Sequence, residues 1–328
     1  MTELRHKRRD MLRLGFAATC LATLADAQAQ AYPSRTISVI SPFTPGGADA
    51  LMRLLLPGLQ QRLGRSVIIE NVAGAGGLIG AERAARAAPD GYTLLFAPSS
   101  ASVTSPLLYR QPNIDALRDF TPIIATHEVP QVLVVYPGLG VASVADLIAL
   151  ARARPGEIAF GTSGHGTAVH LNGELFSSAA NVKLLHVPFR GSGPLTTEIL
   201  AGRVPITFTT IPLAHGLIVS GKLRALAVLD SKPSPFLPGV PPITDTLPSF
   251  RPSDTWACIL APARTPAHVQ EVLFQAFRDV LDTTEVRTQF RDNFAYVLGL
   301  TPQQTSERLT AGIEQTRTLM KVAGIEQL

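Results

Sequence analysis

Two glycine-containing loops carry the residue types best suited to holding an anion. The first loop, residues 41–49, contains adjacent Gly46 and Gly47 and ends at Asp49, before a segment of helical periodicity. Glycines let several backbone N–H groups point at one spot, and the start of a following helix adds a partial positive charge. Such a loop can hold a carboxylate or phosphate oxygen without lysine or arginine. The alternative is a tight turn in which Asp49 only caps the helix.

The second loop, residues 161–167, has the same composition on a later strand–helix junction. Gly164 and Gly166 free backbone donors, and the remaining polar side chains are Thr162, Ser163, His165 and Thr167. Two such loops on opposite sides of a cleft would hold an anion from both sides. The alternative is a capped helix start with a solvent-facing histidine.

Two further segments are candidate walls of the same site, and one arginine is a further candidate. Residues 74–77 approach the dinucleotide fingerprint G-x-G-x-x-G, but Ile79 occupies its last position, so the fingerprint fails. Ser99 and Ser100 follow a predicted strand, and ligands of open α/β sheets bind beyond the carboxyl ends of strands. Arg190 is either a cleft residue or a solvated loop charge.

Catalytic and metal-binding patterns are weak. The nucleophile-elbow pattern G-x-S-x-G fails at its last position, which is His165. His170 and Glu174 form a possible pair one helical turn apart, but no third ligand follows from the spacing. Cys258 lies in an apolar strand and is expected to be buried and inert. We predict no catalytic residue, no metal ligand and no cofactor; the alternative is a secreted serine-type hydrolase that uses Ser163 and a histidine.

The elements that position these loops alternate between strand and helix. In the first part, strands are predicted at 36–40, 67–70 and 92–96, with helices at 49–63 and 78–88. After a looser, proline-containing segment at 111–130, the pattern restarts with strands at 132–135, 158–161, 184–187, 206–209 and 223–229 and helices at 143–151, 167–179, 192–201 and 212–220. The last part follows a proline-rich stretch and has a strand at 256–260 and helices at 266–281, 284–292 and 302–322. This alternation of strands and helices predicts two α/β units with mostly parallel sheets.

The N-terminal residues resemble an export signal. Basic residues at positions 5–9 precede an apolar stretch at 14–24 and small residues at 25–31, which is the order of a secretory signal peptide. The apolar stretch is shorter than the roughly 20 residues that span a bilayer. The pair Arg8-Arg9 also fits a twin-arginine signal. We predict a signal peptide at 1–29 and a periplasmic protein; the alternative is a buried first helix.

Charge argues against nucleic acid as a partner. The sequence has 29 Lys+Arg and 25 Asp+Glu, a formal net charge of +4, and much of the basic excess lies in the predicted signal peptide. No basic stripe therefore remains for a nucleic-acid surface.

Ordered motifs from about Tyr32 onward resemble one known family. They include PFTPGGADA from Pro42, ENVAGAGGLIG from Glu70, TSGHGTAVHLNGELF from Thr162 and HVPFRGSGP from His186. These pieces, in this order, are similar to the tripartite tricarboxylate transporter receptors, also called the Bug family of periplasmic solute-binding proteins. The chain departs from the family at Phe189-Arg190, where Tyr-Lys is frequent, and at Pro205, where an acidic residue is common.

The resemblance implies a two-lobed type II periplasmic-binding α/β fold with a ligand cleft between the lobes. Domain 1 would comprise residues 30–131 and 232–328, and domain 2 residues 132–231. The function implied is capture of a small carboxylate for the membrane permease subunits of a tripartite tricarboxylate transporter, by a monomer without catalysis. An alternative partner is a two-component sensor to which the receptor presents its ligand.

The predicted ligand-binding residues combine the loops with their candidate walls. They are Phe43, Thr44, Pro45, Gly46, Gly47, Asp49, Gly76, Gly77, Ser99, Ser100, Thr162, Ser163, Gly164, His165, Gly166, Thr167 and Arg190.

Overall fold

The computed structural model describes most of the chain after the predicted signal peptide. The described residues are 32–45, 49–110, 112–165, 167–189, 191–253, 255–322, 324–325 and 327. The predicted signal peptide thus lies outside the described residues. Within them, no helix combines the length and apolar character needed to cross a membrane.

Strands and helices alternate along the described residues. The strands are β1 (Ile37–Ser41), β2 (Val67–Asn71), β3 (Thr93–Pro98), β4 (Phe120–Glu128), β5 (Gln131–Val135), β6 (Ala159–Thr162), β7 (Leu185–Pro188), β8 (Ile206–Thr210), β9 (Arg224–Val228), β10 (Trp256–Pro262) and β11 (Tyr296–Leu300). The α-helices are α1 (Ala50–Leu63), α2 (Leu78–Ala85), α3 (Ser105–Leu108), α4 (Val144–Ala153), α5 (Ala168–Ala180), α6 (Ser192–Leu200), α7 (Ile211–Val219), α8 (Ala267–Leu281), α9 (Thr284–Asp292) and α10 (Pro302–Val322). A π-helical turn, Ser100–Thr104, precedes α3.

The larger sheet contains strands from both ends of the described chain. Its order is β11-β4-β10-β3-β1-β2. β1 runs parallel to β2 and β3, whereas β10 lies antiparallel between β3 and β4. β10 and β11 thus complete the sheet that β1 begins. The domain boundaries given above stay a prediction.

Alternating side chains of this sheet pack against helices on both faces. Val39 of β1 and Phe96 of β3 join α1, α8 and α9 in one buried cluster. Their neighbours Ile40 and Ala97 join α2 and α10 in a second cluster on the other face. Successive side chains of a strand point to opposite faces, so a central strand covered on both sides must be apolar at nearly every position. This explains the continuous apolar runs of β1 and β3.

The smaller sheet repeats this layered design in the middle of the chain. Its order is β7-β6-β8-β5-β9, with β6 parallel to β7 and β8 and with β5 antiparallel to β8 and β9. One face packs against α4 and α5 and the other against α6 and α7. Ser143 caps α4 by accepting a hydrogen bond from the Asp146 backbone N–H, as its position in the sequence predicted.

A closed network of buried hydrogen bonds lies where the chain crosses between the sheets. Gln131 begins β5, and Ser253 precedes β10, so the two residues mark the outward and the return crossing. Asn172 of α5 joins both: its Nδ2 donates to Gln131 Oε1 (2.9 Å), and its Oδ1 accepts from the Ser253 N–H (2.7 Å). Gln131 Nε2 in turn donates to the Ser253 carbonyl oxygen (2.6 Å). We call Gln131, Asn172 and Ser253 the crossing triad.

Helix α10 contacts both sheets' cores. Leu309, near its start, is buried in the α2 face of the larger sheet, and Leu319, near its end, joins the core of the smaller sheet. Between them, Gln315 Nε2 donates to the Pro252 carbonyl oxygen at the return crossing (3.1 Å). Arg308 Nη2 donates to Glu128 Oε2 at the outward crossing (2.6 Å).

Strands β4 and β11 are the strands that the sequence did not predict, and both sheets are mixed rather than mostly parallel as expected, because β10 and β5 each pair antiparallel with both neighbours. β4 is the longer of the two missed strands. It lies within the segment interpreted as loose, because Pro122 and the polar residues of Phe120–Glu128 hide its periodicity. Proline is rare in inner strands because it donates no hydrogen bond. The sheet accommodates it at a register shift between Ile259 and Leu260, and Pro122 pairs with Leu260.

Candidate ligand-binding site

Both predicted loops leave sheet edges at which the chain crosses between the sheets. In the larger sheet, β4 ends at Glu128 beside the carboxyl end of β3, because β10 pairs antiparallel with both strands. β1 runs parallel to β3, so the loop after Ser41 leaves this same edge. In the smaller sheet, Gln131 pairs with Thr210 at the end of β8, and β6 runs parallel to β8. The loop after Thr162 therefore also leaves the crossing edge, where ligands of open α/β sheets bind.

The first loop is tied together by a buried carboxylate. Asp49 is 0% exposed, and its Oδ2 accepts from Arg53 Nη2 (2.8 Å) and Asn71 Nδ2 (3.0 Å). Asn71 Nδ2 also donates to the Phe43 carbonyl oxygen (2.8 Å), and its Oδ1 accepts from Arg53 Nη2 (2.9 Å). Asp49 thus links the start of α1 to the end of β2 and to the beginning of the loop. Among the described contacts Asp49 positions the first loop.

The glycine turn after β2 requires its glycines. Gly76 and Gly77 have φ of +63° and +101°, which L side chains rarely adopt. A Cβ at Gly77 would lie 2.7 Å from Ala101 Cβ and 3.3 Å from Phe43 Cζ. The fold therefore brings the first loop, the glycine turn and the π-helical turn into contact.

Ser99 and Ser100 stand at the start of the π-helical turn. Ser99 lines a cavity of about 80 Å³ together with Trp256 and Arg308. Ser100 is half-buried, whereas Ser102 behind it donates its hydroxyl to the Pro98 carbonyl oxygen (3.2 Å). A π-turn replaces the regular i to i−4 ladder and is frequent at functional sites.

The second loop is held by threonine hydroxyls. Thr167 caps α5 by accepting from the His170 backbone N–H (3.3 Å), and its Oγ1 donates to the Gly164 carbonyl oxygen (2.9 Å). The segment after β7 runs beside it, because the Phe189 and Gly191 N–H groups donate to the carbonyl oxygens of Thr162 (2.9 Å) and Ser163 (3.2 Å). These bonds hold the two strand ends of the smaller sheet side by side at its carboxyl edge.

Three histidine rings meet beside the second loop. His165 belongs to the loop, His170 to the first turn of α5 and His186 to β7; one nitrogen of each lies within 4.8 Å of the others. The rings of His170 and His186 stack with centroids 4.1 Å apart. Burial, followed by the neighbouring histidines, lowers the pKa of His170 to about 3. Burial and then His165 lower the pKa of His186 to about 4. Both rings are therefore neutral at pH 7, with a lone pair available on one nitrogen.

Comparison with known proteins decides the family. Residues 51–325 match the family described as "Tripartite tricarboxylate transporter family receptor". The chain belongs to this family. BugT of Bordetella pertussis (strain Tohama I) is 35% identical to this receptor over 315 residues, which cover 95% of the receptor and 96% of BugT. The family prediction made from the ordered motifs is confirmed.

Two solved structures share the receptor's architecture. The R. palustris protein Rpa4515, determined with adipate, superposes with a TM-score of 0.84 at 34% identity, covering 90% of the receptor and 100% of that chain. MatC (Rpa3494) from Rhodopseudomonas palustris, with bound malate, gives a TM-score of 0.79 at 27% identity, covering 88% and 99%. The receptor's two-sheet α/β architecture is thus the fold of these solute-binding proteins, and the predicted fold class is confirmed.

The receptor's predicted site residues fall into two groups, and four of them lie outside the described residues. Phe43, Gly76, Gly77 and the 99–104 segment come together at the larger sheet. Thr162 to His165 and Thr167 come together at the smaller sheet with His170 and His186. The residues outside the description are Gly46, Gly47, Gly166 and Arg190. Sequence reasoning missed Asn71, which fastens the first loop, and His186, because neither is near its partners in sequence.

Proposed function

We propose that this receptor captures a small dicarboxylate between the loops after β1 and β6 and delivers it to the membrane permease subunits of a tripartite tricarboxylate transporter. The receptor would be exported to the periplasm by its N-terminal signal and act there without catalysis. The observation that carries the proposal is topological: both loops leave the crossing edge of their sheet and lead directly into a helix.

The chemistry of the two loops favours a carboxylate. A loop that ends at a helix start offers backbone N–H groups and a partial positive charge to an anion. Ser163 adds a hydroxyl group at the second loop, and the charge of Asp49 is neutralised by Arg53 in the first. Dicarboxylate ligands in two relatives, adipate and malate, support the same ligand class.

The first prediction concerns ligand-induced stability. The mature receptor is expected to unfold at higher temperature with adipate or malate, because a ligand that binds only the folded state at a hundred times its Kd adds about 2.7 kcal/mol. Differential scanning fluorimetry against dicarboxylates, tricarboxylates, amino acids and neutral sugars measures the shift, with the matched diamide of adipate as the uncharged control. A shift with sugars or the diamide, and none with any acid, would contradict the carboxylate assignment.

A second prediction concerns the fastening of the first loop. Asn71→Ala removes the hydrogen bonds to Asp49 and to the Phe43 carbonyl oxygen. We expect a loss of about 1–3 kcal/mol in the free energy of unfolding, since each such bond contributes on the order of 1 kcal/mol and more when one partner is charged. We also expect weaker dicarboxylate binding, because the loop is no longer held against β2.

Urea unfolding and isothermal titration calorimetry with the best ligand of the thermal-shift panel measure the two effects of Asn71→Ala. Asn113→Ala is the matched control, because Asn113 is exposed and distant in sequence from both loops. It is expected to leave both quantities unchanged. If Asn71→Ala and the parent protein bind the ligand with equal affinity, the first loop is not part of the ligand-binding site.

A further inference from the structure

Three histidines from three separate elements converge at the second loop. His165 precedes α5, His170 lies in its first turn, and His186 lies on β7, where the parallel register places it beside Phe160 of β6. One nitrogen of each ring lies within 4.8 Å of the other two. Three imidazoles at such spacing are the donor set of many zinc sites, because neutral imidazole binds borderline metals well.

We propose that His165, His170 and His186 form a binding site for one divalent transition-metal cation, with Zn²⁺ as the best probe. The three nitrogens lie at most 4.8 Å from one another. A common centre therefore lies at most about 2.8 Å from each, and the nitrogens must approach it by up to about 0.7 Å to reach the Zn–N distance of about 2.1 Å. His165 is exposed on a loop and can move most freely, whereas the His170 ring must turn out of its 20° stack with His186 to share one cation with it.

Neighbouring oxygens supply the outer contacts that such a site needs. Thr162 Oγ1 lies 2.8 Å from His186 Nε2, and Glu174 Oε1 lies 3.7 Å from His170 Nε2. Metal-binding histidines commonly use oxygen partners of this kind to fix ring orientation and tautomer. Phe160 holds the His186 ring from one side, with centroids 5.0 Å apart and an interplanar angle of 24°. The His186 ring is therefore held in place by its neighbours before any cation arrives.

The site leaves room for a further ligand. Three protein nitrogens leave one position of a tetrahedral zinc ion for water or for another oxygen. His165 belongs to the loop that we propose to hold the carboxylate, so a cation here would add positive charge to that part of the site. The metal site itself does not depend on the proposed function, since its three ligands are defined without a bound carboxylate.

The test is a titration of tag-free, chelator-treated mature protein with ZnCl₂ by isothermal titration calorimetry, without any carboxylate. We expect one saturable site per chain, weakened at least about 10-fold by His165→Ala, His170→Ala or His186→Ala, as even outer-shell changes cost about 10–100-fold. His268→Ala removes an exposed histidine on α8 and is expected to leave zinc affinity unchanged. Co²⁺ in place of Zn²⁺ should give the visible absorption of tetrahedral coordination, lost in His165→Ala.

Folding of each variant is checked by thermal unfolding in EDTA. The zinc affinity of His165→Ala tests the proposal even where the other two variants fold poorly. The His165 side chain is exposed, so its removal is expected to leave the fold intact. Absence of a saturable zinc site in the parent protein, or zinc affinity equal in the parent and in folded His165→Ala, would overturn the proposal. Because no carboxylate is present, either result leaves the proposed transport function to be judged by its own ligand panel.

Discussion

Replacing Asn172 with alanine is expected to lower the free energy of unfolding by about 2–6 kcal/mol. Asn172 is 0% exposed and joins the two other members of the crossing triad. Its loss leaves Gln131 Oε1 without its donor and the Ser253 N–H without its acceptor, both in a buried region. Each buried polar group left unsatisfied costs about 1–3 kcal/mol. Urea unfolding monitored by circular dichroism measures the change.

The matched control for this substitution is Asn293→Ala. Asn293 also makes a side-chain hydrogen bond, from Nδ2 to the Gln289 carbonyl oxygen (2.8 Å), but it is exposed, so water replaces the lost partner. We expect a change within about 0.5 kcal/mol. A change of less than 1 kcal/mol for Asn172→Ala would mean that water enters the crossing and satisfies both groups.

The second large effect is expected for Gly173→Ala, one residue further along α5. A Cβ at Gly173 would fall within 2.7 Å of three atoms of the Phe160 ring. Phe160 is fully buried in the core of the smaller sheet and cannot move without displacing Phe208 and His186, whose rings it contacts. Overpacking of this kind costs about 1–3 kcal/mol and occasionally more. The greater helical preference of alanine offsets up to about 1 kcal/mol of it.

Gly216→Ala provides the matched control within α7. Gly216 is also inside a helix, but its Cβ would meet nothing within 4 Å. The substitution is therefore expected to raise the free energy of unfolding by up to about 1 kcal/mol. Opposite signs for the two glycine substitutions, measured by urea unfolding, would establish that Phe160 fills the space left by Gly173. Equal stabilisation by both would refute this packing.

Much of the fold follows from the sequence because the ends of its helices and strands are clearly marked. Proline and glycine end the helices, and apolar runs such as β1 and β3 have the length of buried strands, so most predicted elements agree with the structure within a few residues. β4 could not be found, because Pro122 and its polar neighbours are tolerated only through a shift in register with β10. That shift depends on partners more than 130 residues away in the chain.

The candidate site could be predicted only where its glycines and polar residues are neighbours in the sequence. Each loop carries its glycines and hydroxyls in one short stretch, so the pattern is visible without a fold. His186 is different, because only the pairing of β6 with β7 brings it beside His170, 16 residues earlier. Asn71 was missed for the same reason. Only the pairing of β1 with β2 brings it beside the first loop, where its Nδ2 donates to the Phe43 carbonyl oxygen.

Helix α10 has a consequence for how affinity can change. Its first half rests on the core of one sheet, and Leu319 near its end rests on the core of the other. If the two lobes close on the ligand, as the family resemblance implies, a substitution at Leu319 would shift the balance between open and closed receptor, and the apparent Kd would change in inverse proportion to the competent fraction. In the proposed receptor role, two proteins with identical loops would then differ in the solute concentration to which they respond, through a helix that belongs to neither loop.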